Sequence, residues 1–546
     1  MFRALTIFLS ILYFSSSGQN IINNWKFSKI DNGENSVREI GSNDFLNINK
    51  DGSFEYYIES INLNANGNWL WKGDKVTFIY QTPNDTTRTY LVELKNNKLT
   101  LKEGSINYKF IIAKNTFINN ILRGLLGLLS LIFISYLFSQ NKKAINWNIV
   151  WKGLIIQFIF AICILKVPFI QNIFEWLSSI FVTILSFTRE GSVFLFGNLV
   201  ENIDSFGYIF AFQVLPTIIF FSALTSVLFY YGILQKAVLF FAYLMRKLLN
   251  LSGSESLAAA GNIFLGQTES PLLIKPYIEK MSLSELFCLM SGGMSTIAGG
   301  VLAAYIGFLG GNDLESQLFF AKHLLAASVM SAPAAIIASK IIIPETQKVN
   351  DEMNISSQEI GSNVLEAISN GTTQGLKLAV NVGAMLLVFI AFIYMINYFL
   401  NQFVGEFTGL NEFINSFTNG KYTNLSLEFI LGYTLAPVTW LMGVCKEDMI
   451  LVGQLLGEKI ILNEFVAYIS LSEFKTESLF FENKSVIIAT YILCGFANFA
   501  SIGIQIGGIG TLAPSRTKDL SKLGLLSLVA GTLACLFTAV IVGMLI

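Results

Sequence analysis

Eight runs of about 20 apolar residues fill most of the chain after residue 116, at 117–138, 148–168, 208–232, 284–308, 317–342, 376–400, 486–508 and 524–546. A bilayer core accepts a helix of that length, and only helices or closed barrels satisfy their own backbone hydrogen bonds inside it. The chain therefore reads as an α-helical polytopic membrane protein. Charge supports this: 13% of residues are charged, against about 25% in soluble domains. A net charge of −1 leaves no electrostatic footprint for nucleic acid and excludes that class of partner.

The first part of the chain differs. Residues 1–18 carry Arg3, an apolar run over 4–13 and a tail of small residues, the pattern of a signal peptide; an uncleaved anchor is the other reading. Residues 20–113 are polar and aromatic, with alternating runs at Ser53–Ile58, Lys75–Tyr80 and Thr89–Leu94, then an Asn96-Asn97 turn into Lys98–Lys102. They predict a small antiparallel all-β domain. Lysine and arginine cluster at 142–143, 236–247, 340–348 and 516–522, and acids crowd the alternate loops. The positive-inside rule then places the β domain and the C-terminus on the extracytoplasmic side of the inner (plasma) membrane. Segment 170–200, broken by Arg189 and Glu190, reads as interfacial rather than spanning.

Two stretches defy simple spanning. Residues 253–281 and 445–474 each place a polar turn between two short apolar arms, so both arms return to the side they came from, as re-entrant hairpins. The first turn is Gly266-Gln267-Thr268-Glu269-Ser270-Pro271, and the second contains Asn463-Glu464. A carboxylate at mid-membrane costs roughly 2.5–3.5 kcal/mol, which marks both acids as functional candidates. After each hairpin comes a span weakened at its middle, Ser291–Val301 in one case and Cys494–Ile502 in the other. Hairpin, broken span and further span thus recur over 253–342 and 445–546, the inverted-repeat pattern of secondary transporters with a site where the repeats meet. Segment 427–444, interrupted by Pro437, fits either the preceding span or an arm of its own. The five cysteines lack metal-ligand spacing and none lies in the exported region, so no disulfide framework is expected. The lone histidine, His323, reads as a packed helix residue. No nucleophile–base set can be built around it, and an enzyme is not expected.

The motifs G-Q-T-E-S-P-L at 266–272, S-T-I-A-G-G-V at 295–301, N-E-F-V-A-Y at 463–468 and C-G-F-A-N-F-A-S-I at 494–502 occur in the order found in concentrative nucleoside transporters, which the chain resembles over 117–546. The resemblance implies a sodium/nucleoside symporter. Gln267 and Thr268 would hydrogen-bond the nucleobase, with Glu269 behind them. Val301 and Phe496 would pack on the base, and Glu464, Asn498 and Ser501 would hold the ribose. A sodium ion would bind Asn262, the Leu265 carbonyl, Thr296 and the Ile297 carbonyl. Thr296 replaces a serine of some relatives and keeps the hydroxyl, and Ser270 stands where alanine is common. The resemblance also implies a homotrimer with its scaffold at the centre, and it leaves 20–113 outside.

The chemistry fits the assignment. A nucleoside is neutral, with a flat face, a polar edge and vicinal hydroxyls, and suits an amide, an apolar wall and a carboxylate acceptor. Proton coupling through Glu269 or Glu464 is the alternative to sodium. All the proposed site residues fall within the two repeats, so a unit of hairpins and broken spans is expected to move against a scaffold of the other spans.

Overall fold

The computed structural model describes residues 21 and 23–546, apart from 32–35, 39–43, 50–51, 59–62, 73, 83–85, 96–97, 105, 113–115, 203–204, 206–208, 312, 348–352, 354–360, 419 and 421. The signal-peptide pattern at 1–18 and the expected turn at 96–97 lie outside the described residues. The chain divides into two compact units, Met1–Asn119 and Asn120–Ile546.

Among the described residues of the first unit, nine antiparallel strands run β1 (Asn23–Asp31), β2 (Ser36–Arg38), β3 (Phe45–Ile48), β4 (Ser53–Ile58), β5 (Leu63–Lys72), β6 (Lys75–Thr82), β7 (Thr86–Lys95), β8 (Lys98–Glu103) and β9 (Ile106–Ile112). Consecutive strands from β3 to β9 pair as a meander. β1 closes it by pairing with β3 through Asn23–Lys26 and with β9 through Trp25–Asp31. The result is an eight-stranded barrel, with β2 as an extra strand on β1. Alternation explains it: in β6, Val76 and Phe78 point inward while Lys75 and Ile79 face out. Phe54 and Phe78 meet edge to face with centroids 4.6 Å apart, and Tyr80 and Tyr90 bring their hydroxyls to 3.4 Å. Burial pushes the Tyr80 phenol up to about 12, so the pair stays neutral in ordinary solution. A void of about 10 Å³ among Leu46, Phe78, Tyr90 and Phe110 is no larger than a water. Leu46, Phe54, Phe78, Leu99 and Phe110 pack inside the barrel as one apolar core.

The second unit is helical. It begins with α1 (Thr116–Leu137), α2 (Trp147–Lys166), α3 (Pro168–Phe196), α4 (Leu215–Tyr230) and α5 (Ile233–Leu249). Next come α6 (Gly253–Phe264), α7 (Leu283–Ser295), α8 (Gly299–Gly310), α9 (Leu314–Ile342) and α10 (Val364–Phe399). The unit ends with α11 (Leu427–Leu441), α12 (Met449–Ile461), α13 (Glu464–Thr476), α14 (Asn483–Leu493), α15 (Phe499–Leu512) and α16 (Thr517–Leu545). Eight helical stretches of the described residues are long and apolar enough to cross a membrane. Seven coincide with expected spans. The eighth is α3, at 168–196, a single helix over the segment expected to be interfacial. Arg189 and Glu190 fall late in this helix. Segment 427–444 is also settled: α11 is a helix of its own, containing Pro437 and laid on α12 so closely that a Cβ on Gly453 would stand 2.6 Å from the Gly432 carbonyl oxygen.

The order hairpin, broken helix, long helix occurs twice. α6 and its returning turns precede α7, a break and α8, then α9. α12 and α13 precede α14, a break and α15, then α16. The breaks have local causes. At the first, Thr296 and Ala298 are extended, with ψ of 169° and 145°. At the second, Gly495 takes φ +132°, a conformation L side chains rarely adopt, and a Cβ there would lie 2.8 Å from the Ser295 backbone. The two breaks therefore meet back to back. Lys340, counted among the topology-setting charges, is instead buried at the foot of the first hairpin. It pairs with Glu255 and donates to Ser284 Oγ at 2.8 Å.

Candidate functional site

Each half of the site is set by a helix start. Asn463 caps α13, its Oδ1 accepting from Val466 N at 3.0 Å, which puts Glu464 at the first turn of the returning arm. Asn498 caps α15 in the same way, accepting from Ser501 N at 2.8 Å. Its amide nitrogen is left free to donate to Glu464 Oε2 at 2.7 Å, and Tyr305 of α8 donates to Glu464 Oε1 at 3.1 Å. The Glu464 carboxylate, 3% exposed, is thus held by donors from two other helices.

The first hairpin reaches the same place from the other repeat. Gln267 Nε2 donates to Ser501 Oγ at 3.0 Å, and Gln505 Nε2 donates both to Gln267 Oε1 at 3.1 Å and to the Met290 carbonyl at 3.0 Å. Glu269 Oε2 accepts from Gly266 N at 2.7 Å, closing the turn on itself. Between the hairpins lies a cavity of about 360 Å³, within the roughly 300–1,000 Å³ of small-molecule sites. Its lining includes Gln267, Thr268, Glu269, Val301, Glu464, Phe496, Asn498 and Ser501, all eight of the residues singled out for the substrate. One wall was not foreseen. Leu378, Asn381, Val382, Met385 and Leu386 of α10 also line the cavity, so the helix at 376–400, expected to contribute nothing, faces the site. A second cavity of about 510 Å³ shares Glu269, Ala298, Val301 and Leu378 with the first and continues along α4 and α10 past Asn370 and Lys377.

Beside the first break, Asn262 is 1% exposed and donates through Nδ2 to the Leu289 carbonyl at 3.4 Å, leaving Oδ1 buried without a partner. Thr296 donates its hydroxyl to the Gly292 carbonyl at 2.9 Å, so its lone pairs stay available. Leu265, extended at the end of α6, and Ile297, within the break, are buried in the same region. Two protein oxygens stripped of competing donors at the carbonyl end of a half-helix suit a small hard cation. Among the described residues no group of three or more His, Cys, Asp or Glu could hold a metal, so the oxygens here are neutral ones.

Sequence reasoning missed Tyr305, Gln505, Asn463 and Asn381. Asn463 lay inside a motif already singled out, and Gln505 stands three residues beyond another. Tyr305 and Asn381 sit in regular apolar helices, and only the tertiary approach gives them a role. His323 is packed, with Nδ1 3.1 Å from the Tyr491 hydroxyl and its ring edge-on to Phe319.

Comparison with known proteins agrees with this geometry. Three family models match in order: "Na+ dependent nucleoside transporter N-terminus" at 126–199, "Nucleoside recognition" at 211–312 and "Na+ dependent nucleoside transporter C-terminus" at 323–543. The chain is 43% identical over 430 residues to the uncharacterized transporter YutK of Bacillus subtilis, covering 78% of this chain and all of that protein. It is 42% identical over 434 residues to solute carrier family 28 member 3 of Eptatretus stoutii, covering 77% of this chain but only 60% of that one. Among solved structures it is similar to CNTnw in an inward-facing substrate-bound state, with a TM-score of 0.70 and 36% identity over 78% of this chain and 98% of that one. The barrel lies ahead of all three matched regions. The chain belongs to the Na+-dependent, or concentrative, nucleoside transporter family of multi-pass membrane carriers, which are not enzymes.

Proposed function

We propose that the protein is a symporter that imports nucleosides across the plasma membrane, driven by a sodium gradient. The observation that carries this is the single cavity in which polar edges from both hairpins oppose an apolar wall of Val301, Phe496 and α10. Gln267 and Thr268 read the base edge, with Glu269 behind them, and Val301 and Phe496 cover its face. Glu464, Asn498 and Ser501 take the ribose hydroxyls: Glu464 is a pure acceptor, already oriented by Tyr305 and Asn498, and matches two hydroxyl donors. A site built around a hydroxyl rejects analogues that lack it strongly.

Sodium is co-substrate, held by Asn262, Thr296 and the carbonyls of Leu265 and Ile297. It orders the first hairpin tip, so ion and nucleoside raise each other's affinity by the same factor. Transport proceeds by movement of the hairpin and broken-helix unit against the remaining helices, with α10 as the fixed wall it slides along. The chain works as a homotrimer, with the barrel and the C-terminus outside. Uptake of labelled nucleoside into proteoliposomes under an imposed sodium gradient tests the reading. Uptake that survives replacement of sodium by choline at fixed pH would refute sodium coupling, and crosslinking a hairpin to α10 should stop transport.

A further inference from the structure

Gln505 of α15 is buried behind the cavity between the hairpins and does not line it. Its Nε2 has two acceptors, the Met290 carbonyl at 3.0 Å and Gln267 Oε1 at 3.1 Å. Its own Oε1 is buried with no partner among the described residues. That arrangement fixes which way round two amides lie. A backbone carbonyl only accepts, so the end of Gln505 that meets Met290 is its NH2 group. Turned over, Gln505 would set Oε1 against the Met290 oxygen and against Gln267 Oε1, acceptor facing acceptor. The same NH2 group therefore meets the oxygen end of Gln267, and the nitrogen end of Gln267 donates to Ser501 Oγ at 3.0 Å. Gly293 of α7 makes room for this relay: a Cβ there would stand 2.8 Å from Gln505 Nε2 and 3.0 Å from Gln267 Cβ. Gln267 keeps one N–H and one lone pair for the cavity it lines.

We infer that Gln505 is a positioning residue for base selection: by fixing the polarity of the Gln267 amide, it makes the carrier tell keto bases from amino bases. This rests on the proposed role of Gln267 at the base edge. Uracil presents N3–H as a donor beside the acceptor O4, whereas cytosine presents N3 as an acceptor beside a donor amino group at C4. Inosine and adenosine repeat the contrast at N1 and C6. An amide has one donor end and one acceptor end, so it pairs with either kind of edge, but in opposite orientations. An amide free to turn over would serve both. Held from behind by Gln505, it serves one and meets the other donor to donor and acceptor to acceptor. Thr268 adds no such choice, because a hydroxyl rotates to donate or to accept. Met290 belongs to the first repeat and Gln505 to the second, so the polarity is set where the repeats meet. Ser501 shares in it: its oxygen accepts from Gln267, which leaves its hydrogen to donate toward the cavity.

The test is equilibrium binding of uridine, cytidine, inosine and adenosine to the purified protein in sodium, for the wild type, Q505L and Q505E, with size-exclusion profiles to score folding. Within each pair that binds, the wild type should favour the keto or the amino base by about tenfold or more, the scale of a mismatched hydrogen bond. Q505L releases the Gln267 amide, and the two affinities of a pair should converge to within about threefold. Q505E keeps the length and turns an acceptor toward Gln267, which then meets it with its nitrogen end, so the order within a pair should reverse. A Gln505 that only supports the fold would weaken both members alike, and an unchanged ratio in a folded Q505L overturns the inference. A Q505E with the wild-type order overturns it too, as does a wild type that favours neither member. Wild type that binds none of the four overturns the nucleoside reading and the inference with it, whereas an unchanged ratio overturns the inference alone. If neither variant folds, the wild-type ratio decides.

Discussion

The two hairpin tips each present a glutamate, but they hold it differently. Glu269 is satisfied by the backbone of its own turn, through Gly266 N at 2.7 Å. Glu464 is satisfied from elsewhere, by Tyr305 of α8 and Asn498 of α15. A carboxylate tied to its own turn shapes that turn. One tied to two other helices is aimed, and its position reports whether the whole site is assembled. The repeats thus hold similar residues differently: the first tip stands between two cavities and the second faces one, matching the base and ribose roles proposed for them.

That contrast sets the expected order of effects. Glu464→Gln removes the charge and replaces one of the two acceptor oxygens with a donor, so uptake should fall by about 100-fold or more with the protein still folded. Rates near wild type would break the assignment. Tyr305→Phe keeps the ring that stacks on Tyr468 at 4.2 Å and deletes only the donor, so nucleoside KM should rise about tenfold. An unchanged KM would show that Glu464 is oriented without it. Asn262→Ala should weaken sodium activation about fivefold or more and, by reciprocity, shrink the gain in nucleoside affinity that sodium provides. Equal sodium response in that variant would move the ion elsewhere. Glu269→Gln is expected to be mildest, within about threefold, because the glutamine oxygen can still accept from Gly266 N. A loss as deep as that of Glu464→Gln would reverse the comparison and favour proton coupling through Glu269.

Much of this was legible in the chain because membrane insertion makes polarity expensive. Glu269, Glu464, Asn498 and the glycine-rich breaks stand out against apolar text, and β4, β6, β7 and β8 of the barrel follow from alternation. The readings that failed lacked such contrast. Arg189 and Glu190 suggested a break at 170–200, yet the segment forms one continuous helix, α3, because nothing in it interrupts the backbone. Lys340 counted as a loop charge because sequence does not show that Glu255 lies across from it. The α10 wall was invisible for the opposite reason: Leu378, Val382, Met385 and Leu386 look like any lipid-facing residues, and only packing against the hairpins turns them inward. Closure of the barrel through β1 and β9 pairs strands from opposite ends of the domain and leaves no local mark.

The central claim is that a nucleoside sits between the two tips and is coupled to an ion under the first. Its most direct test is equilibrium binding of uridine and of adenosine to the purified protein, in sodium and in choline, alongside Glu464→Gln. At least one nucleoside should bind the wild type about fivefold or more tightly in sodium, within the usual range of coupling between sites, and fail to bind the variant. Affinity identical in the two ions, or binding that survives loss of the Glu464 carboxylate, would contradict the account.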